Sequence, residues 1–122
     1  MSEPQNPVAW FEIPVTNMAR AKAFYEHVLG TSLDPMQMGP ADMAMFPSAQ
    51  GPAGCLIQTD GYTPSHAGTL VYFAVADIKG TLAKAEGRGG KTLMPKMDIG
   101  EFGFVAHFED SEGNRVALHS QT

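Results

Sequence analysis

Residues 11–30 read FEIPVTNMARAKAFYEHVLG, and residues 71–90 read VYFAVADIKGTLAKAEGRGG. In the first stretch Phe11, Ile13 and Val15 alternate with Glu12 and Pro14, the period-two pattern of a strand with two unlike faces. The period then changes. Met18, Ala21, Phe24, Tyr25, Val28 and Leu29 recur at helical spacing, while Arg20, Lys22 and Glu26 fall on the opposite side, so a helix is predicted over 18–29. Thr16 or Asn17 stands where an N-cap belongs and Gly30 where a left-handed C-cap belongs. The second stretch repeats the first at an offset of sixty. Val71, Phe73 and Val75 lie over Phe11, Ile13 and Val15, and Asp77-Ile78 over Asn17-Met18. The register runs on without a gap through Thr92-Leu93 over Ser32-Leu33 and Pro95 over Pro35. Such repetition marks one supersecondary unit built twice.

Working outward, strands are predicted at 8–15, 32–38, 42–46 and 54–59 in the first unit. The second unit has strands at 70–75, 91–97, 102–109 and 115–119 and a helix at 77–87. Gly39-Pro40 and the segment from Pro47 to Pro52 separate the short strands of the first unit. Only 60–68, rich in Gly, Pro, Ser and Thr, reads as a linker. The expected fold is therefore α+β: two βαβββ repeats, about 8–59 and about 70–119, within a single domain 1–122. Eight strands form a curved, mixed, half-barrel-like sheet with both helices outside.

A chain of 122 residues at 43% hydrophobic composition supports one core and not two. The net charge of -5, with Lys and Arg scattered singly, offers no basic patch to phosphates, which argues against nucleic acid and anionic membrane as partners. Apolar runs fall well short of a bilayer span and residues 1–8 lack a signal-peptide core. The lone Cys55 has no partner for an internal disulfide and reads as a small buried hydrophobe. A cytoplasmic location is the expectation.

Strand parity assigns faces. With Phe11, Ile13 and Val15 under the helix, Trp10 and Glu12 turn to the opposite, concave face, as do Leu70, Tyr72 and Ala74 in the second unit. The turn Asp110-Ser111-Glu112-Gly113-Asn114 pairs Glu109 with Arg115, His107 with Ala117 and Val105 with His119. His107, Ala117 and His119 then look into the cavity, while Phe104, Ala106, Phe108, Val116 and Leu118 pack under the helix. Met36, Met38, Met43 and Met45 crowd the first unit, with Met94 and Met97 in the second; thioethers suit an adaptable cavity wall, or simply fill a core. His27 and His66 read as solvated residues, and Asp98 and Glu101 around Gly100 as a hairpin rim.

The doubled unit resembles the vicinal oxygen chelate superfamily, which includes glyoxalase I, extradiol dioxygenases, fosfomycin-modifying enzymes and bleomycin-resistance proteins. The residues carrying the resemblance are Phe11-Glu12-Ile13-Pro14-Val15, Ala19 to Tyr25, Val28-Leu29-Gly30, and Phe108 to Arg115. It implies a small-molecule cavity and a homodimer. It also implies His or Glu metal ligands on the first and fourth strands of each unit, which fall here at Trp10, Ile57, Leu70 and Ala117. None of these is a metal ligand, so no cofactor is expected at the usual positions. The leading expectation is a cavity that binds a small organic ligand through Trp10, Glu12, Tyr72, His107 and His119. The alternative is a metal-dependent lyase, isomerase or dioxygenase, lactoylglutathione-lyase-like, with a divalent metal displaced onto Glu12, His107 and His119. The same residues also suit acid–base catalysis, with Glu12 orienting a histidine, or a hydrogen-bonded wall with no chemistry.

Overall fold

The computed structural model describes residues 8–49 and 54–122. In the first unit β1 (Phe11–Pro14) leads into α1 (Met18–Leu29), followed by β2 (Asp34–Met38), β3 (Ala41–Met45) and β4 (Gly54–Gln58). The second repeats the order with β5 (Tyr72–Ala74), α2 (Ile78–Glu86), β6 (Lys91–Asp98), β7 (Phe104–Glu109) and β8 (Arg115–Ser120), plus a short 3-10 turn at Gly100–Phe102. Asn17 is the cap of α1, its side chain accepting from the Arg20 N–H, and Gly30 ends the helix at φ 66. Asp77 caps α2 in the same way through the Gly80 N–H. Two caps sixty residues apart, built identically, fix the equivalence of the two units at their helices.

The eight strands form two four-stranded sheets, ordered β1-β4-β3-β2 and β5-β8-β7-β6, not closed into a barrel. The two outermost pairs nearest the seam, β1 with β4 and β5 with β8, are parallel, and the rest are antiparallel. The expected hairpin register holds: Glu109 faces Arg115, His107 faces Ala117 and Val105 faces His119. The first strand of each unit is shorter than its alternation implies. The β1 ladder starts at Phe11 opposite Gly54, and that of β5 at Tyr72 opposite Ala117, so Trp10 and Leu70 each lie just before a strand.

The continuous sixty-residue register does not hold to the end of the unit. Glu12 pairs with Cys55 and its counterpart Tyr72 pairs with Ala117, so the fourth strands correspond at an offset of sixty-two. Cys55, not Ile57, is the equivalent of Ala117, and Ile57 is the equivalent of His119. The two additional residues of the second unit enter along β6 and its connection to β7, and the β6–β7 ladder shifts register within β6 between Thr92 and Met94 and again between Met94 and Met97. Bulges absorb such insertions without disturbing the strands on either side.

One apolar core serves both units. Ile13, Val15, Phe24, Tyr25 and Leu56 from the first and Ile78, Phe108, Val116 and Leu118 from the second belong to a single buried cluster. At the seam the Phe11 and Phe73 rings meet edge-on at 6.1 Å, and Tyr25 contacts Phe46 at 5.8 Å and Phe73 at 5.9 Å. The core is thus drawn from both units together.

Polar groups tie the units at one end. Glu112, in the β7–β8 turn, accepts from the backbone N–H groups of Thr16 and Asn17, both at 2.9 Å, and from Arg20 Nε at 2.6 Å. It thus supplies the free donors at the start of α1 with a carboxylate from the other unit. Buried Asp110 accepts from the Tyr25 hydroxyl at 2.6 Å, and Asn114 donates to the Pro14 carbonyl at 2.8 Å.

Candidate functional site

Residues in and just before the first strands of both units line a cleft of about 530 Å³, among them Trp10, Glu12, Leu70 and Tyr72. Phe11 and Val71 line the same cleft, so strand alternation accounts for Glu12 and Tyr72, while Trp10 and Leu70 reach it from the segments just before their strands. Glu12 also borders a smaller space of about 230 Å³, shared with Ser65, Asn114 and Arg115.

The sheet faces that adjoin the cleft through Trp10 and Tyr72 differ in character. In the first, Met43, Cys55 and Ile57 are buried together, with Trp10, Ala41 and Met45 packed on them, as an apolar cluster separate from the main core. Burial, aided by the negative charge of Glu12, pushes the Cys55 thiol up to about 11, so it stays protonated and acts as a hydrophobe. Met36 and Met38 are exposed on the edge strand β2, as is Met97 on β6. The methionines are therefore divided between a wall and an edge.

The second wall is polar. Along one row Tyr72 pairs with Ala117 and Ala117 with His107, the counterparts of Glu12, Cys55 and Met45. The Tyr72 hydroxyl lies 3.4 Å from His107 Nε2, their rings meet edge-on at 5.9 Å, and Arg115 Nη1 is 2.7 Å from His107 Nδ1. Partial burial and then the Arg115 charge lower the His107 pKa, which keeps the imidazole neutral at pH 7. Glu12 accepts from the Trp10 indole N–H at 3.3 Å. The charge of Glu12, and a hydrogen bond to it, raise the Tyr62 phenol pKa. His119 lies on the neighbouring row, its Nε2 2.6 Å from the Phe102 carbonyl.

Of the residues picked out from the sequence, the structure thus brings Trp10, Glu12 and Tyr72 to one cleft and joins His107 to it through Tyr72. His119 is engaged elsewhere. Glu12, His107 and His119 have separate partners, and among the described residues no group of three or more His, Cys, Asp or Glu side chains is arranged to hold a metal ion. The places the resemblance assigns to ligands hold Trp10, Ile57, Leu70 and Ala117, and the register exchange substitutes a protonated Cys55 for Ile57. This donor set does not fit a divalent ion. His27 is exposed on α1, and His66, exposed in the linker, bonds Glu109 at 2.7 Å. Asp98 accepts from the Gly100 N–H within its own turn, and Glu101 is exposed.

Two residues were missed. Arg115 shares the parity of Ala117 and His119, so alternation along β8 is the signal that puts it on the concave face. Tyr62 sits in a segment whose composition spells linker, and nothing local marks it as a neighbour of Glu12.

Two curated relatives, from Mycobacterium bovis and Mycobacterium tuberculosis, each named "Putative glyoxylase CFP32", are 33% identical to the chain over 107 residues and cover 85% of it. The chain spans 40% of their length. A glyoxalase I variant from Zea mays matches the structure with a TM-score of 0.73 at 22% identity, over 94% of this chain and 47% of that one. A glyoxalase/bleomycin resistance protein from Albidiferax ferrireducens does so with a TM-score of 0.70 at 17% identity, over 96% of this chain and all of that one. At such identities the likeness to solved structures speaks for the fold alone. Residues 8–118 match the Glyoxalase/Bleomycin resistance protein/Dioxygenase superfamily, and the chain, with its doubled strand-helix-three-strand unit, belongs to that family.

Proposed function

We propose that this protein binds a small organic molecule in the cleft between its first and fifth strands, without the metal centre usual in its family. The observation that carries the reading is the convergence of Trp10, Glu12, Leu70 and Tyr72 on one cleft of about 530 Å³. That volume is in the range of small-molecule sites, which combine apolar walls with a few polar groups. An aromatic ligand would rest its ring against Trp10 and Leu70 and set its polar groups toward Glu12 and Tyr72. The shared core supports treating 1–122 as one domain. The same reading has the protein act as a cytoplasmic homodimer, with exposed Met36 and Met38 on edge strand β2 available to the partner copy.

Trp10 is the only tryptophan in the chain, so its fluorescence reports on the cleft directly. Titration with a panel of aromatic metabolites and antibiotics is expected to quench or shift that emission for at least one compound, with a matching rise in Tm. Trp10→Ala should weaken the same compound at least tenfold, the loss of roughly 1.4 kcal/mol of ring contact. A panel that moves neither the emission nor the Tm would sink the proposal.

A second reading, glyoxalase-like lyase or isomerase activity, is favoured by the name of the mycobacterial relatives. It predicts turnover of the methylglyoxal–glutathione hemithioacetal in the presence of Zn, Ni or Mn. Absence of turnover with every metal tried would remove it.

A further inference from the structure

Three side chains on the polar wall form a chain whose direction is decided by its outer end. Arg115 is a donor only, since a guanidinium has no acceptor atom. Its Nη1 lies 2.7 Å from His107 Nδ1, so Nδ1 must accept and carries no proton. Neutral His107 then holds its proton on Nε2, which faces the Tyr72 oxygen at 3.4 Å. The Tyr72 oxygen therefore accepts, and its own proton is left to point elsewhere. Among the described residues His107 is its only hydrogen-bond partner, and Tyr72, nearly half exposed, borders the cleft.

We propose that Arg115 and His107 are positioning residues that orient Tyr72 as a hydrogen-bond donor into the cleft, selecting neutral aromatic ligands that carry a carbonyl oxygen. This rests on the ligand-binding reading above and deepens it. Neutrality follows from Glu12, which borders the same cleft and repels carboxylates and phenolates. Around His107 the flanking elements contribute Tyr72 from β5, Arg115 from β8 and Met94 from β6, with Glu109 two residues along its own strand and occupied by His66. No carboxylate among these partners is placed to draw a second proton onto the ring.

The test has two arms. Side-chain ¹⁵N NMR of the wild-type protein is expected to give His107 as the Nε2–H tautomer, titrating below an ordinary histidine. In Arg115→Met the tautomer should become mixed and the titration should move up. Affinities for 2-acetylnaphthalene and its hydrocarbon counterpart 2-isopropylnaphthalene are then compared by ligand-observed NMR. The wild type should prefer the ketone about tenfold, one neutral hydrogen bond, and Tyr72→Phe and Arg115→Met should lose the preference while keeping the hydrocarbon. An Nδ1–H tautomer in the wild type, or a ketone preference that survives Tyr72→Phe, overturns the Arg115–His107–Tyr72 assignment alone. With the tautomer as expected, failure of both naphthalenes to bind overturns the cleft as a ligand site and the selectivity with it.

Discussion

Asp110→Ala is expected to destabilise the protein by about 3–5 kcal/mol, the range for breaking a buried, hydrogen-bonded carboxylate network. Asp110 is 2% exposed. One oxygen accepts from the backbone N–H groups of Glu112 at 2.8 Å and Asn114 at 2.9 Å. The other takes the Tyr25 hydroxyl at 2.6 Å and the Asn114 amide at 3.0 Å. Removing the carboxylate strands four donors, of which the Tyr25 hydroxyl belongs to a fully buried ring and has no access to water. Burial, and then the Asp110 charge, hold the Tyr25 phenol well above its ordinary pKa, so it is a donor at neutral pH. Tyr25→Phe removes one of the four bonds and should cost only about 1–2 kcal/mol. Urea unfolding at constant m separates these outcomes. Equal losses for the two variants would mean that Asp110 acts through Tyr25 alone and that the turn does not depend on it.

The second large effect is pH-dependent. Burial on its own would raise the Glu112 pKa, but hydrogen bonds from Arg20, the Thr16 and Asn17 backbone and Ser111 outweigh it and hold the carboxyl at about 2, against an ordinary 4.5. A folded pKa below the unfolded one favours the ionised form on folding. The resulting stability is fully present above about 4.5 and disappears as the pH falls toward 2. The shift corresponds to at most about 3 kcal/mol at pH 7, or about 10 °C in Tm for a domain of this size. Glu112→Gln should therefore lie well below the wild type at pH 7 and converge with it as the pH approaches 2. A constant gap across that range would show that packing, not charge, is what Glu112 contributes.

Much of the fold was legible because its signals are local. The change from alternation to helical spacing at Met18 predicts α1 at the bounds observed, and Asn17 and Gly30 supply caps that need no tertiary context. Strand parity assigns Glu12 and Tyr72 to the face opposite the helices, and both border one cleft, since alternation carries through a strand irrespective of what lies opposite. The remainder depended on contacts distant in sequence. The offset of sixty-two in the fourth strands arises from bulges in β6, which leave no mark in composition. His119 has the right parity for the cavity, but the turn at Gly100–Phe102 brings the Phe102 carbonyl to its ring. That Glu112 caps a helix more than ninety residues away, or that Tyr62 reaches Glu12, follows from how the units pack rather than from any spacing within them.

Between β1 and β5 there is no backbone ladder among the described strands; Phe11 meets Phe73 across the seam, and Asp110, Glu112 and Asn114 clamp one end of it. The protein is in this respect a clasp with a fixed hinge and an unstitched mouth. Each sheet's ladder is complete without the other, so the spacing at that mouth rests on side-chain contacts such as Phe11 with Phe73. The aperture is then set by the girth of a few residues, and exchanging Trp10 or Leu70 for a larger or smaller side chain is expected to resize the cleft and leave both sheets as they are.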